Sequence, residues 1–376
     1  MIMFKNYWQT MVKTFYSLII LKRFRDYCIP FDPDKISKIL LVRNDNIGDV
    51  VCTIPCIRAV KEAFPDAFLA VLVCRLTEDI VSGNPCLDKV YVYDKAKHGR
   101  YKNPLTAWWN QYRVIREIQK ERFDLAVGIR SCFSTSQGWL VYSSRAPFRL
   151  GHSPGKKNNG FAFFYNIYVN DEKREIHEVE RSLDVLRTID IDTEDKELVF
   201  FIPEDSKSIV KDFLDRNNLQ NGKKLVGLHY SSRPEEGRWW DNENYLKLSQ
   251  MIMDKGNIDL IFTSAPEDSF QVEKIRNSVE PKPVSFKSVK LKDFAALIKE
   301  CDIFITLQGG AQHISAAVNT PTIAIFGKEN PAIWAPWGEK NISIKRGNHA
   351  NSVNVKDVLN AVEGLLGESD EQHEDN

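Results

Sequence analysis

Short, largely apolar runs recur along this chain, each followed by a polar turn and an amphipathic stretch. The first series places strands at Ile39–Val42, Phe68–Val73, Lys89–Tyr93, Leu125–Ile129 and Arg149–Gly151, with helices at Pro55–Ala63, Pro104–Glu121, Ser134–Tyr142 and His177–Ile189. A second series follows Leu198. Its strands are Lys224–His229, Asp259–Thr263, Pro283–Ser285, Ile303–Thr306 and Thr322–Phe326. Its helices are Lys207–Asn217, Asn242–Lys255, Glu267–Ser278, Leu291–Glu300, Ala311–Val318 and Val355–Leu366. Strands alternating with helices predict parallel sheets joined by βαβ crossovers. The expected class is α/β, with two Rossmann-like, doubly wound domains facing across a cleft.

The expected division is an N-terminal basic amphipathic helix and linker (1–34), a first domain (35–195), a second domain (196–367) and an acidic, disordered tail (368–376). In the first segment Phe4, Trp8, Met11, Phe15 and Leu18 share one helical face, and Lys5, Lys13, Lys22, Arg23 and Arg25 supply positive charge. Two readings stay open for it: a helix lying on an anionic membrane surface, or one packed on the protein's own surface. No run approaches the roughly 18 apolar residues of a membrane span. Lys+Arg and Asp+Glu both number 51, so global charge gives no case for nucleic-acid binding. The seven cysteines form no CxxC pair and no zinc-type spacing, which fits a reducing, cytoplasmic setting. Cys52 and Cys56 read as small buried side chains on a helix.

Candidate chemistry gathers at strand ends, where open α/β sheets bind ligands. After Ile39–Val42 comes a turn bearing Asn46, Gly48 and the carboxylate of Asp49. After Ile303–Thr306 comes Gln308-Gly309-Gly310 and a helix carrying His313. Paired glycines and free helix N–H groups suit a phosphate, although a tight turn with a structural histidine has the same pattern. The loop after Lys224–His229 carries Ser231, Ser232, Arg233 and Arg238, suited to a diphosphate or to a solvated surface. Glu267 follows Asp259–Thr263. It reads as a ribose ligand or as a helix-start carboxylate. Walker A, GxGxxG, HExxH and GxSxG patterns are absent, so NTPase, dehydrogenase, metalloprotease and α/β-hydrolase readings lack support.

Taken in order, these residues resemble glycosyltransferase family 9, the ADP-heptose:lipopolysaccharide heptosyltransferases and their relatives. The resemblance spans roughly residues 38–338 and rests on several motifs. In the first half they are Asn46-Ile-Gly-Asp-Val-Val51, Thr53-Ile-Pro55 and His177-Glu-Val-Glu-Arg181. In the second half they are Arg238-Trp-Trp240, Gly310 with His313, Thr320-Pro321 to Gly327, and Asn330-Pro331 to Trp337-Gly338. It implies a GT-B fold and inverting sugar transfer without a bound metal or cofactor. The acceptor is handled by the first domain and the nucleotide sugar by the second. It implies Asp49 as general base, with Ser231, Ser232, Arg238, Glu267, Gln308, Gly309, Gly310 and His313 at the donor. Asn46, Gly48, Arg43 and Arg130 are the expected acceptor contacts, with Arg58 and Lys61 as further cations; ordinary surface charge is the competing reading for the four cations. The chain departs from the family at Gln308-Gly309, where an acid and a hydroxyl residue are usual, and at Arg238, where Lys is usual.

The implied activity is transfer of a sugar, by family default heptose from ADP-heptose, onto a lipopolysaccharide core or related glycan. The implied location is cytoplasmic, with peripheral contact at the inner membrane. The alternatives are a nucleotide-sugar-binding protein without transfer activity and a GT-B-type nucleotide-sugar epimerase.

Overall fold

The computed structural model describes residues 31–93, 104–169, 174–219, 221–288 and 290–374. The expected N-terminal helix lies outside these residues. Strands β1 (Lys38–Arg43), β2 (Phe68–Cys74), β3 (Lys89–Tyr93), β4 (Leu125–Gly128), β5 (Phe148–His152) and β6 (Ile167–Val169) form one sheet, in the order β3-β2-β1-β4-β5-β6. Strands β7 (Lys224–Tyr230), β8 (Ile258–Ser264), β9 (Val284–Ser285), β10 (Ile303–Leu307), β11 (Thr322–Phe326) and β12 (Ile342–Lys345) form the second, in the order β12-β11-β10-β7-β8-β9. All pairings between these strands are parallel. Each sheet therefore has the same doubly wound order. Strand order reverses between β1 and β4 in the first and between β7 and β10 in the second, and such switch points open a crevice at the strands' carboxyl ends.

The all-apolar run in β1 follows from its central place, with both faces covered. Side chains alternate across the sheet. Ile39 and Leu41 enter one core cluster, Leu40 and Val42 the other. The first of these clusters continues into the second lobe through Phe294, Ile298, Phe304 and Ile314. One apolar body thus joins the two sheets beneath the cleft.

Two edge strands, β6 and β12, were not expected. Both are short and carry polar or half-buried positions. The last helix runs Val355–Glu374, so it continues through Gly367 and into the segment expected to be disordered. A single glycine lowers helix propensity by only about 1 kcal/mol, and the residues after it include good helix formers.

Candidate active site

At the β1 switch point the chain leaves Arg43 and turns into a short helix, Ile47–Val51. Arg43 is wholly buried. Its Nη2 contacts Asp49 Oδ1 at 3.1 Å and Glu178 Oε1 at 2.9 Å, and its Nε lies 3.3 Å from Asp45 Oδ2. Its Nη1 donates to the carbonyl of Ile129 at the end of β4, 2.7 Å away. Burial alone would lower the Arg43 pKa; the three carboxylates outweigh it and keep the guanidinium firmly charged. Arg130 pairs with Asp45 at 2.6 Å and Arg181 approaches Glu178 at 3.6 Å, so three arginines balance three carboxylates. Only one of the carboxylates reaches solvent appreciably: Asp49 is 20% exposed, Asp45 8% and Glu178 0%. Asp49 Oδ2 accepts from the Asn46 backbone N–H at 3.3 Å, which holds the group at the mouth of its helix.

The helix Gly310–Ala317, which follows β10, packs directly on the helix Ile47–Val51. Two glycines permit this contact. A Cβ on Gly48 would stand 2.5 Å from His313 Cδ2, and one on Gly310 would stand 2.9 Å from Ile47 Cβ. His313 is buried. Gln312 Nε2 donates to the Trp334 carbonyl at 2.6 Å and lies 3.3 Å from His313 Nε2, making that ring nitrogen the acceptor. His313 Nδ1 then faces the sulfur of buried Cys52 at 3.7 Å. Burial and nearby His177 push the His313 pKa down to about 3, with Asp49 opposing only in part. The imidazole is neutral at ordinary pH.

His177 bridges the lobes. Its Nδ1 accepts from the Val179 N–H at 3.2 Å, capping the helix Glu178–Arg187, and its Nε2 donates to the Ala335 carbonyl at 2.8 Å. Its ring also rests on Trp337, with centroids 4.7 Å apart. Burial lowers its pKa, and the two hydrogen bonds assign it the neutral Nε2–H form.

A cleft of about 630 Å³ opens between the two switch points. That volume suits a small-molecule ligand. Asn46, Gly48 and Asp49 line it from the first lobe, and Arg238, Gln308, Gly309, Gly310 and His313 from the second. Arg238 pairs with Glu236, and its Nη1 lies 3.3 Å from where a Cβ on Gly309 would sit. The unusual glycine thus leaves room for the unusual arginine. Gly309 itself has φ +154° and ψ −164°, a conformation that favours glycine.

The other expected residues do not form the cleft wall directly, although Arg233, beside Ser232, does. Ser231, Ser232 and Glu267 are not on the wall of this cleft. Glu267 pairs with Arg233 at 2.9 Å, and Arg233 also reaches Asp268 at 3.2 Å. Arg43, expected at the acceptor, is interior and holds Asp49 instead. Arg130 is 31% exposed and tied to Asp45. Arg58 pairs with Asp195 at 2.9 Å, and Lys61 donates to the Ala67 carbonyl. Glu178 carried no expected role; its signal was its place in His177-Glu-Val-Glu-Arg181. Among the described residues no cluster of His, Cys, Asp and Glu could hold a metal, and no helix is long and apolar enough to cross a membrane.

Residues 111–361 match the family model for glycosyltransferase family 9 (heptosyltransferase). The chain belongs to this family. It is 25% identical over 346 residues to lipopolysaccharide heptosyltransferase 3 of Escherichia coli (strain K12), covering 85% of this chain and 96% of that protein. Among solved structures it is similar to a glycosyl transferase family 9 protein from Veillonella parvula, with TM-score 0.78, 20% identity and coverage of 90% and 99%. It is also similar to the E. coli heptosyltransferase WaaC with ADP, with TM-score 0.69, 18% identity and coverage of 87% and 99%. The fold is accordingly GT-B, and the protein is a glycosyltransferase.

Proposed function

We propose that this family 9 enzyme moves a heptose-type sugar from a nucleoside diphosphate onto a lipopolysaccharide core or related cell-surface glycan, with inversion at the anomeric carbon. The observation that carries the reading is the cleft itself. Asp49, the solvent-reachable carboxylate of the Arg43 cluster, shares its wall with the Gly309-Gly310 turn and Arg238. An acceptor hydroxyl beside Asp49 gives up its proton to the carboxylate while attacking the sugar carbon from the face opposite the leaving diphosphate. Arg238 and the N–H groups at the start of the helix Gly310–Ala317 offset the charge gathering on that diphosphate. Arg43 keeps Asp49 in place without itself meeting substrate. Neutral His313 packs beneath and does not compete for the proton. Family membership favours transfer over the binding-only and epimerase readings. Contact with the inner membrane is supported by the sequence of residues 1–27, where basic residues interleave with aromatic and aliphatic ones.

The test is Asp49→Asn assayed with ADP-heptose and an extracted lipopolysaccharide core acceptor. Turnover should fall about a hundredfold or more while donor binding persists. Near-normal turnover with intact donor binding removes Asp49 as the base.

A further inference from the structure

The helix Pro104–Glu121, which joins β3 to β4, buries one side and exposes another of distinctive composition. Val114 and Ile118 enter the first-lobe core. At about 100° per residue, Trp109, Tyr112, Arg113, Arg116 and Lys120 share the opposite face. All five are exposed. Trp109 is 61% exposed and Tyr112 45%, and their rings meet edge to face with centroids 5.9 Å apart. The cations beside them are uncompensated. Arg113 and Arg116 reach only neutral oxygens, those of Asn110 at 3.2 Å and Gln119 at 3.5 Å. Neither they nor Lys120 joins an ion pair among the described residues. Glu117 stands on the flank of the stripe, and Glu121 is taken by Lys38 and Lys89. The whole chain is neutral, with 51 residues of each sign, so this unpaired positive charge around two aromatic rings is a local feature.

We infer that this helix face docks on an anionic lipid surface, as a contact separate from residues 1–27. Tryptophan and tyrosine pair an apolar body with a polar tip, which suits the boundary between headgroups and acyl chains. Cations alongside them are drawn to acidic headgroups. A helix of this kind lies in the plane of the surface rather than crossing it. Its place in the fold fits that use. The helix starts beyond the carboxyl end of β3 and runs back to the start of β4, so Trp109 and Tyr112, in its first half, sit toward the edge of the lobe where the cleft opens. A lipid surface held there presents a lipid-linked sugar toward Asp49. Charge also decides between occupants. Residues 1–27 carry Lys5, Lys13, Lys22, Arg23 and Arg25, and a second copy of this face carries the same three cations, so both repel it. The purpose of the contact rests on the transfer reading above; the surface and its charge do not.

The experiment floats the full chain with vesicles of phosphatidylcholine, with or without added phosphatidylglycerol, at low and high salt. The chain should prefer the acidic vesicles about tenfold or more, and salt should weaken that preference. Each cation near an acidic leaflet is worth roughly fivefold in binding. Arg113→Gln/Arg116→Gln should therefore bind acidic vesicles about tenfold or more weakly, and Trp109→Ala/Tyr112→Ala should show a similar loss. Brominated lipid should quench the full chain more than Trp109→Phe. Circular dichroism, and turnover on a lipid-free core oligosaccharide, should be unchanged in every variant. Vesicle binding by the variants equal to that of the full chain, or equal quenching in Trp109→Phe, overturns the assignment and leaves the transfer reading standing. So does a loss that vanishes when Phe4→Ala/Trp8→Ala is already present, because the face would then act by holding residues 1–27. A full chain that binds neither kind of vesicle overturns it as well. A chain that binds acidic vesicles through this face yet transfers no sugar refutes the transfer reading and leaves the docking surface in place.

Discussion

Removing Glu178 tests whether the buried charge cluster is what holds Asp49, the proposed base. In Glu178→Ala, Arg43 loses its 2.9 Å partner but keeps Asp49 at 3.1 Å and Asp45 at 3.3 Å. The balanced set of three arginines and three carboxylates becomes one charge positive around the wholly buried Arg43 guanidinium. Breaking a buried pair by deleting one partner costs roughly 3–5 kcal/mol. The two remaining carboxylates place this case near the lower end, about 3 kcal/mol. Glu178→Gln keeps an oxygen for Arg43 Nη2 and should cost less, about 1–2 kcal/mol. A two-lobed chain need not unfold in one step. Hydrogen exchange of β1 and of the helix Glu178–Arg187, read beside a urea titration, therefore locates the loss in the first lobe. Turnover should drop with the stability, about tenfold or more in Glu178→Ala, since Arg43 freed on one side no longer fixes Asp49 and small misplacements are costly. A loss below about 1 kcal/mol with turnover unchanged would show that Arg43 does not depend on Glu178, and the positioning argument would fail.

Three further outcomes follow from the lobe contact. Gly48→Ala places a methyl 2.5 Å from His313 Cδ2; the overpacking should cost about 1–3 kcal/mol in urea melts and slow transfer, and a neutral substitution would mean the two helices are free to separate. His177→Ala loses a helix cap and the Ala335 hydrogen bond, expected to total about 2 kcal/mol; turnover should fall more than donor affinity, and equal losses in both would point to a purely structural role. His313, with its pKa pushed by burial from the ordinary 6.5 down to about 3, binds a proton more readily in the unfolded chain. Stability is therefore full above pH 6.5 and declines as pH falls toward 3, with about 2 kcal/mol of loss at pH 5. The same decline persisting undiminished in His313→Gln would clear the residue of that effect.

The central strands were legible because burial on both faces of a parallel strand demands an unbroken apolar run, as in Ile39–Val42 and Ile303–Leu307. Edge strands make no such demand, and β6 and β12 went unread. Asp49, Gln308 and Gly309, read from the ends of those same central strands, come together on the wall of one cleft because both strand ends lie at switch points of their sheets. The environment of Arg43 could not be found that way. An arginine at a strand end looks like surface charge until its partners are known, and Glu178 lies 135 positions further along the chain. Ser231, Ser232 and Glu267 lie at the strand ends where they were expected, beside Arg233, which lines the cleft and pairs with Glu267.

The separation between Asp49 and the Gly309-Gly310 turn is set by helix packing rather than by loops. Where the two helices meet, each contributes a glycine, Gly48 or Gly310, and each faces a side chain of the opposite helix, His313 or Ile47. Close-packed interiors give little under small displacements, so Asp49 and the Gly309-Gly310 turn are held at a spacing a loop could not guarantee. The second-lobe loop adds a further tie through His177 to the same helix whose first residue, Glu178, holds Arg43. Movement of the lobes relative to one another therefore has a physical route to the carboxylate, running from Ala335 through His177, Glu178 and Arg43 to Asp49. That continuity gives a reason for His177 and Glu178 to stand side by side: one bonds the opposite lobe at Ala335 and the other anchors the arginine that holds Asp49, the proposed base.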